Sequence, residues 1–243
     1  MPLTLRFNKA IGPSFFNAPG WEKIRDDAAE AQRTADAIIL NSFEDLEEQF
    51  IELYEKDIGK NFGSIARKSS LQLKELGFGL EAADKPFIWV LKEAEITPEL
   101  NKWLSEDFET KILKKGLILR GWVPQLAILS HPSIGGFMTH CGWNSILESI
   151  SLGVPMITWP HFSDQFTNEK LVVDVLGLGV SLGTKTVCWM PAEDDETIWV
   201  HKNDIEKAVQ KLMGQEEEAK EMRRKAADMA DRAKKATDGR III

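Results

Sequence analysis

WVPQLAILSHPSIGGFMTHCGWNSILESISLGVPMITWPHFSDQ, residues 122–165, reads as one strand-loop-helix-strand unit. An apolar run at 134–138 enters the loop Thr139-His140-Cys141-Gly142-Trp143, and a helix leaves it. Asn144 and Ser145 are both N-cap residue types, and Ser145 with Glu148 three positions on fits a capping box. The spacing therefore predicts a helix starting at these residues and stopping at Gly153. Val154-Pro155-Met156-Ile157-Thr158-Trp159 follows as a short apolar run, the next parallel strand of a βαβ unit.

A helix that begins at the carboxyl end of a parallel strand aims backbone N–H groups and the positive end of its dipole into the crevice of the sheet, which favours an anion there. His140, Asn144 and Ser145 add side-chain donors, and Gly142 lets the backbone approach closely. Taken alone, these residues support a phosphate or nucleotide site, although any doubly wound protein has several such turns.

From Trp122 to Gln165 the segment also carries W-x-P-Q, H-P, G-G-F, T-H-C-G-W-N-S, E-S, G-V-P and D-Q in that order. In this it resembles the signature box of plant UDP-dependent glycosyltransferases of the secondary-product type. The resemblance implies an α/β fold of the GT-B type, a Rossmann-like doubly wound parallel sheet. It also implies a division into residues 1–58, a remnant of an N-terminal acceptor-binding domain, and residues 59–243, a C-terminal UDP-sugar (donor) domain. Asn41-Ser42-Phe43-Glu44 resembles the end of the acceptor domain, and Phe62-Gly63-Ser64 resembles the turn that follows the first, central strand of the donor domain. Where that apolar strand is expected, the chain has only Ile58 within Asp57–Gly63. A buried parallel strand needs about four to eight apolar residues, so the donor domain is expected to lack its first strand. The family's final helix is likewise not found before the chain ends in Ile241-Ile242-Ile243.

The site roles that the resemblance implies fall on the residues as follows. Trp122 stacks on uracil, the alternative being a core Trp at a strand end. Val123 meets the base through its backbone, in a place where Ala is more usual. Gln125 reaches the base or ribose, or else caps the helix that it opens. Glu148 accepts the ribose hydroxyls, or else completes the capping box with Ser145. His140, Gly142, Asn144 and Ser145 hold the diphosphate, with Ser64 helping. Trp143 lines the sugar, while Asp164 and Gln165 bind its hydroxyls, Gln165 fitting glucose. The implied reaction is displacement with inversion at the anomeric carbon, using UDP-sugar as donor substrate, no cofactor and no metal. Its acceptor is a hydroxylated small molecule such as a flavonoid or terpenoid. The general base of the family is an N-terminal His oriented by an Asp. The first His here is His131, so that pair is not among these residues, and a nucleotide-sugar-binding chain without transfer is the alternative.

Composition agrees with a globular chain: 243 residues, 43% hydrophobic, bury a sizeable core. A net charge of −8 argues against nucleic acid or an anionic membrane surface as partner. Cys141 and Cys188 suggest neither a disulfide framework nor a zinc site, and no apolar run is long enough for a membrane span, so a cytoplasmic location is expected. Residues 194–196 read as a solvated acidic loop. No G-x-G-x-x-G follows any strand, which disfavours a dinucleotide-dependent oxidoreductase. In the last helix, Ala219, Met222, Ala226, Met229 and Ala233 share one face.

Overall fold

In a computed structural model, residues 68–187 and 197–239 are described. Ser64, the proposed domain boundary at 58/59, Cys188 and the acidic run 194–196 lie outside them. The first helix, α1 (Ser70–Ala82), starts where Ser69 caps it by accepting the Gln72 backbone N–H. Strand β1 (Phe87–Leu91) follows, then α2 (Pro98–Trp103), capped by Thr97. A π-helical turn at Leu104–Phe108 carries α2 into α3 (Glu109–Ile112), and β2 (Gly116–Arg120) pairs in parallel with β1. Leu100, Leu104, Phe108 and Ile112 all end up buried, so the wider turn keeps one apolar face inward.

The second half runs α4 (Gln125–Leu129), β3 (Phe137–Thr139), α5 (Trp143–Ser151), β4 (Met156–Thr158), α6 (Gln165–Lys170) and β5 (Gly179–Ser181). Strand β4 pairs in parallel with both β3 and β5. Its three residues are all buried, as expected for the middle strand of a covered parallel sheet. Helix α7 (Lys202–Met213) packs against α1 on one side and against β4 and β5 on the other. Helix α8 (Glu217–Gly239) lies along α5, burying the predicted Ala-Met face from Ala219 to Ala233.

The strands thus form two parallel sheets, β2-β1 and β3-β4-β5, joined by one apolar core that includes Trp89, Leu91, Ile157, Trp159, Ile205 and Leu212. A doubly wound sheet of order 3-2-1-4-5-6 has a central strand between the positions that β1 and β3 take here. Among the described residues nothing pairs with the facing edges of β1 and β3. A groove of about 330 Å³ runs between them, lined by Ile88, Val90, Gly136 and Met138.

Candidate nucleotide-sugar site

The loop after β3 turns at Cys141, whose φ is +65°. That left-handed backbone is unusual for a residue with a side chain and is held from both sides. The Cys141 N–H donates to Thr139 Oγ1 (3.2 Å), and its carbonyl accepts from Asn168 Nδ2 (3.0 Å). The thiol is fully buried, and burial, followed by the nearby Glu169 carboxylate, pushes its pKa up, so it stays protonated and inert.

Because the chain reverses at Cys141, α5 begins at Trp143 with Gly142 as its N-cap. This corrects the expected start at Asn144 and Ser145. No side chain caps the helix, Ser145 is its third residue, and the capping box does not form. Instead, Gln125 reaches across from α4. Its Nε2 donates to Glu148 Oε2 at 2.8 Å and to Ser145 Oγ at 3.3 Å. The alternative for Gln125 fails too, since α4 has Pro124 at its N-cap and no side-chain cap. Glu148 is thereby fixed as an acceptor beside the positive end of α5. The helix closes as predicted, with Gly153 at φ +69° just beyond it.

Gly142 admits no side chain, because a Cβ there would stand 2.4 Å from His140 Nε2. His140 is largely buried, and burial first, then Lys68 and Lys92, lower its pKa to about 4. The imidazole is neutral at pH 7, offering one donor and one acceptor. His161, 4% exposed, is also held neutral by burial and by Lys68. Unfolding exposes His140 to an ordinary pKa of 6.5, so the contribution it makes is fully present above that value and falls as pH drops toward 4. The stability advantage of wild type over His140→Asn should therefore shrink by roughly 1–2 kcal/mol between pH 7 and pH 5, read from urea midpoints of both proteins. A pH-independent difference would contradict the buried neutral imidazole.

On the other side of the loop, Asn168 donates to Asp164 Oδ2 (2.8 Å) as well as to the Cys141 carbonyl, so one amide ties α6 to the turn before α5. Burial raises the Asp164 pKa, against which the Asn168 hydrogen bond works. The Gln165 side-chain oxygen accepts the backbone N–H groups of His161 (2.9 Å) and Phe162 (3.3 Å). Ser163, which follows Phe162, has φ +58°.

The structure thus gathers Gln125, Ser145 and Glu148 on one side of the loop His140–Trp143, and Asp164 and Gln165 on the other. Trp122 is 88% exposed at the end of β2, which rejects its reading as a core Trp and leaves a free indole face. Val123, Gln125 and His140 also line the groove between the sheets, but that groove is not centred on this cluster. Three contributors went unread in the sequence. Asn168 was signalled by its i,i+4 relation to Asp164 on one helix face. His161 and Lys68 had no such signal; Lys68 Nζ stands 5.1 Å from the Trp159 ring, beside both histidines. Among the described residues no group of three or more His, Cys, Asp or Glu could hold a metal, and no helix is long and apolar enough to cross a membrane.

Residues 58–227 match the family model of UDP-glucoronosyl and UDP-glucosyl transferases. The chain is 39% identical to UDP-glycosyltransferase 73C6 of Arabidopsis thaliana over 90% of its own length and 54% of that protein. It is 38% identical to UDP-glycosyltransferase 73C3 of the same plant over 98% and 58%. The chain therefore spans a little over half the length of these curated relatives. Among solved structures, Glycyrrhiza uralensis UGT73P12 complexed with glycyrrhetinic acid 3-O-monoglucuronide superposes with a TM-score of 0.76 at 29% identity, covering 93% of this chain and 55% of that one. Os79 from O. sativa, in complex with U2F and trichothecene, gives 0.74 at 26% identity, covering 95% and 58%. Signature box, parallel sheets and both sets of matches agree: the chain belongs to the plant UDP-dependent glycosyltransferase family and has its GT-B type α/β fold.

Proposed function

We propose that residues 59–243 bind a UDP-sugar across the start of α5, and that the whole protein transfers glucose from it to a hydroxyl of a small plant metabolite with inversion. The observation that carries this reading is the Gln125–Glu148 pair, which holds a carboxylate on α5, with the exposed Trp122 three residues before Gln125 in the chain. In the proposed complex uracil stacks on Trp122, with Val123 along its edge, and the ribose hydroxyls donate to Glu148. The diphosphate lies against the α5 amides with His140, Asn144 and Ser145, and Trp143, Asp164 and Gln165 surround the sugar. Charge that develops on departing UDP is then met by preorganised donors and the helix dipole. Likeness to Os79 from O. sativa, solved in complex with UDP, supports the reading.

A second reading, binding without transfer, is favoured by one observation: none of the four histidines in these residues precedes His131. Loss of a general base costs about 10²–10⁴-fold in rate. Both readings predict saturable quenching of tryptophan fluorescence by UDP, and a flat titration overturns them together. Incubation with UDP-glucose and a phenolic acceptor separates them: a glucoside seen by mass spectrometry establishes transfer, and none at high protein concentration leaves binding alone.

A further inference from the structure

Glu169 is a buried carboxylate outside the cluster around α5. It lies on α6, 8% exposed, and Thr158 Oγ1 donates to its Oε2 at 2.7 Å. The Ser181 hydroxyl makes a second hydrogen bond to it. Thr158 and Ser181 are the last residues of β4 and β5. The carboxylate is thereby tied to the carboxyl ends of two paired parallel strands, the end of such a sheet at which ligands bind.

Its charge makes this arrangement costly. The charged groups that act on Glu169 are Lys170 and Asp174 of its own helical run, and they pair with each other at 2.9 Å. From the loop before α5 the Cys141 thiol feels its charge and stays protonated, while β4 and β5 present hydroxyls. Burial accordingly raises the Glu169 pKa. A glutamine would fill the same space and accept the same Thr158 hydroxyl with no buried charge to desolvate. What the charge adds is strength, since hydrogen bonds to an ionised acceptor are roughly twice as strong as neutral ones. On taking up a proton Glu169 becomes the donor to Thr158 Oγ1, and the Thr158 hydroxyl turns to the Val180 carbonyl, 3.4 Å away. The tie then persists only in its weaker neutral form.

Gln165 and Glu169 stand at i and i+4 on one face of α6, and Asp164 is the N-cap of that helix. Asn168 ties Asp164 to the loop before α5, whereas Glu169 ties the helix itself to the sheet. We infer that Glu169 is a positioning residue: its ionised carboxylate seats α6 on the strand ends and so fixes Asp164 and Gln165 against the hexose of a UDP-sugar. This role rests on the proposed binding of the sugar by that pair, and it leaves the contacts to UDP untouched.

The test compares UDP with UDP-glucose on the full chain by calorimetry, and the readout is the ratio of the two dissociation constants. Glu169→Gln should leave UDP affinity unchanged and weaken UDP-glucose relative to UDP by about three- to tenfold. Its Tm should be equal to wild type or higher, because a raised carboxylate pKa means that the fold favours the neutral form. A residue that only held the fold would lower Tm and move both affinities together. In wild type the same weakening should develop as pH falls from neutral toward the ordinary carboxylate value of 4.5, since the raised pKa places the loss of the ionised form above that value. Asp164 titrates in both proteins, so the comparison is between the two pH profiles, and that of Glu169→Gln should be the flatter. Ser181→Ala removes one donor, leaves the carboxylate, and should weaken UDP-glucose in the same direction. An unchanged ratio in Glu169→Gln, a lowered Tm, or parallel pH profiles overturns the inference while UDP binding stands. If UDP itself does not bind, the nucleotide-sugar site falls, and this role with it.

Discussion

Glu148→Ala weakens UDP binding by about 10–100-fold, measured by calorimetry or by quenching of tryptophan fluorescence. A hydrogen bond to a charged group contributes about 1.5–3 kcal/mol, and each 1.4 kcal/mol is tenfold in affinity. In the proposed complex Glu148 accepts two such bonds from ribose. The substitution also strips Gln125 Nε2 of its nearer acceptor, at 2.8 Å, and leaves only Ser145 Oγ at 3.3 Å. Part of the loss is therefore misplacement of Gln125, so Gln125→Ala and Glu148→Ala together should cost less than the sum of the two alone. Glu148→Gln keeps the shape but gives up the charge, and should fall between wild type and Ala. Unchanged affinity in Glu148→Ala contradicts the ribose assignment.

Asn168→Leu destabilises the fold by about 2–4 kcal/mol, a fall of roughly 5–10 °C in Tm by scanning calorimetry. Its amide serves two acceptors, the buried Cys141 carbonyl and the part-buried Asp164 Oδ2, and leucine satisfies neither. Cys141 sits at φ +65°, so the turn that precedes α5 loses the bond that holds its carbonyl. UDP affinity should fall with it, because the first turn of α5 is no longer fixed. Asn168→Asp separates the effects. It places a second carboxylate against Asp164, whose pKa burial already raises, so this variant should be unstable at pH 7 and recover as the pair takes up a proton on acidification. A variant as stable as wild type shows that the tie is not structural.

Much of this was readable beforehand because local chemistry and burial agree. Gly153 ends α5, and the Ala-Met face of α8 is buried. The start of α5 was misplaced by two residues for a physical reason. Asn144 and Ser145 have the right side chains for a cap, but the backbone reverses earlier, at Cys141, and that reversal depends on Asn168 from another helix. Sequence spacing carries no trace of such a long-range bond. The π-helical turns at Leu104–Phe108 and Leu171–Val175 escaped notice because they widen the helix by a residue without interrupting it. That nothing among the described residues pairs with the facing edges of β1 and β3 was not legible in the sequence, because it needed the two separate strand ladders. His161 was unreadable, since nothing local distinguishes a histidine that folding will bury.

Two main-chain amides grip the carbonyl end of Gln165, and its side chain is 3% exposed. The polar atom left to it is a nitrogen, so in the proposed complex it can only give protons to the hexose and must be met by lone pairs. A glutamate in this place would satisfy the same two amides yet present an oxygen, inverting the polarity of the contact without altering its outline. Discrimination between sugars at this wall would then rest on the sense of a single hydrogen bond, a filter that shape alone does not provide.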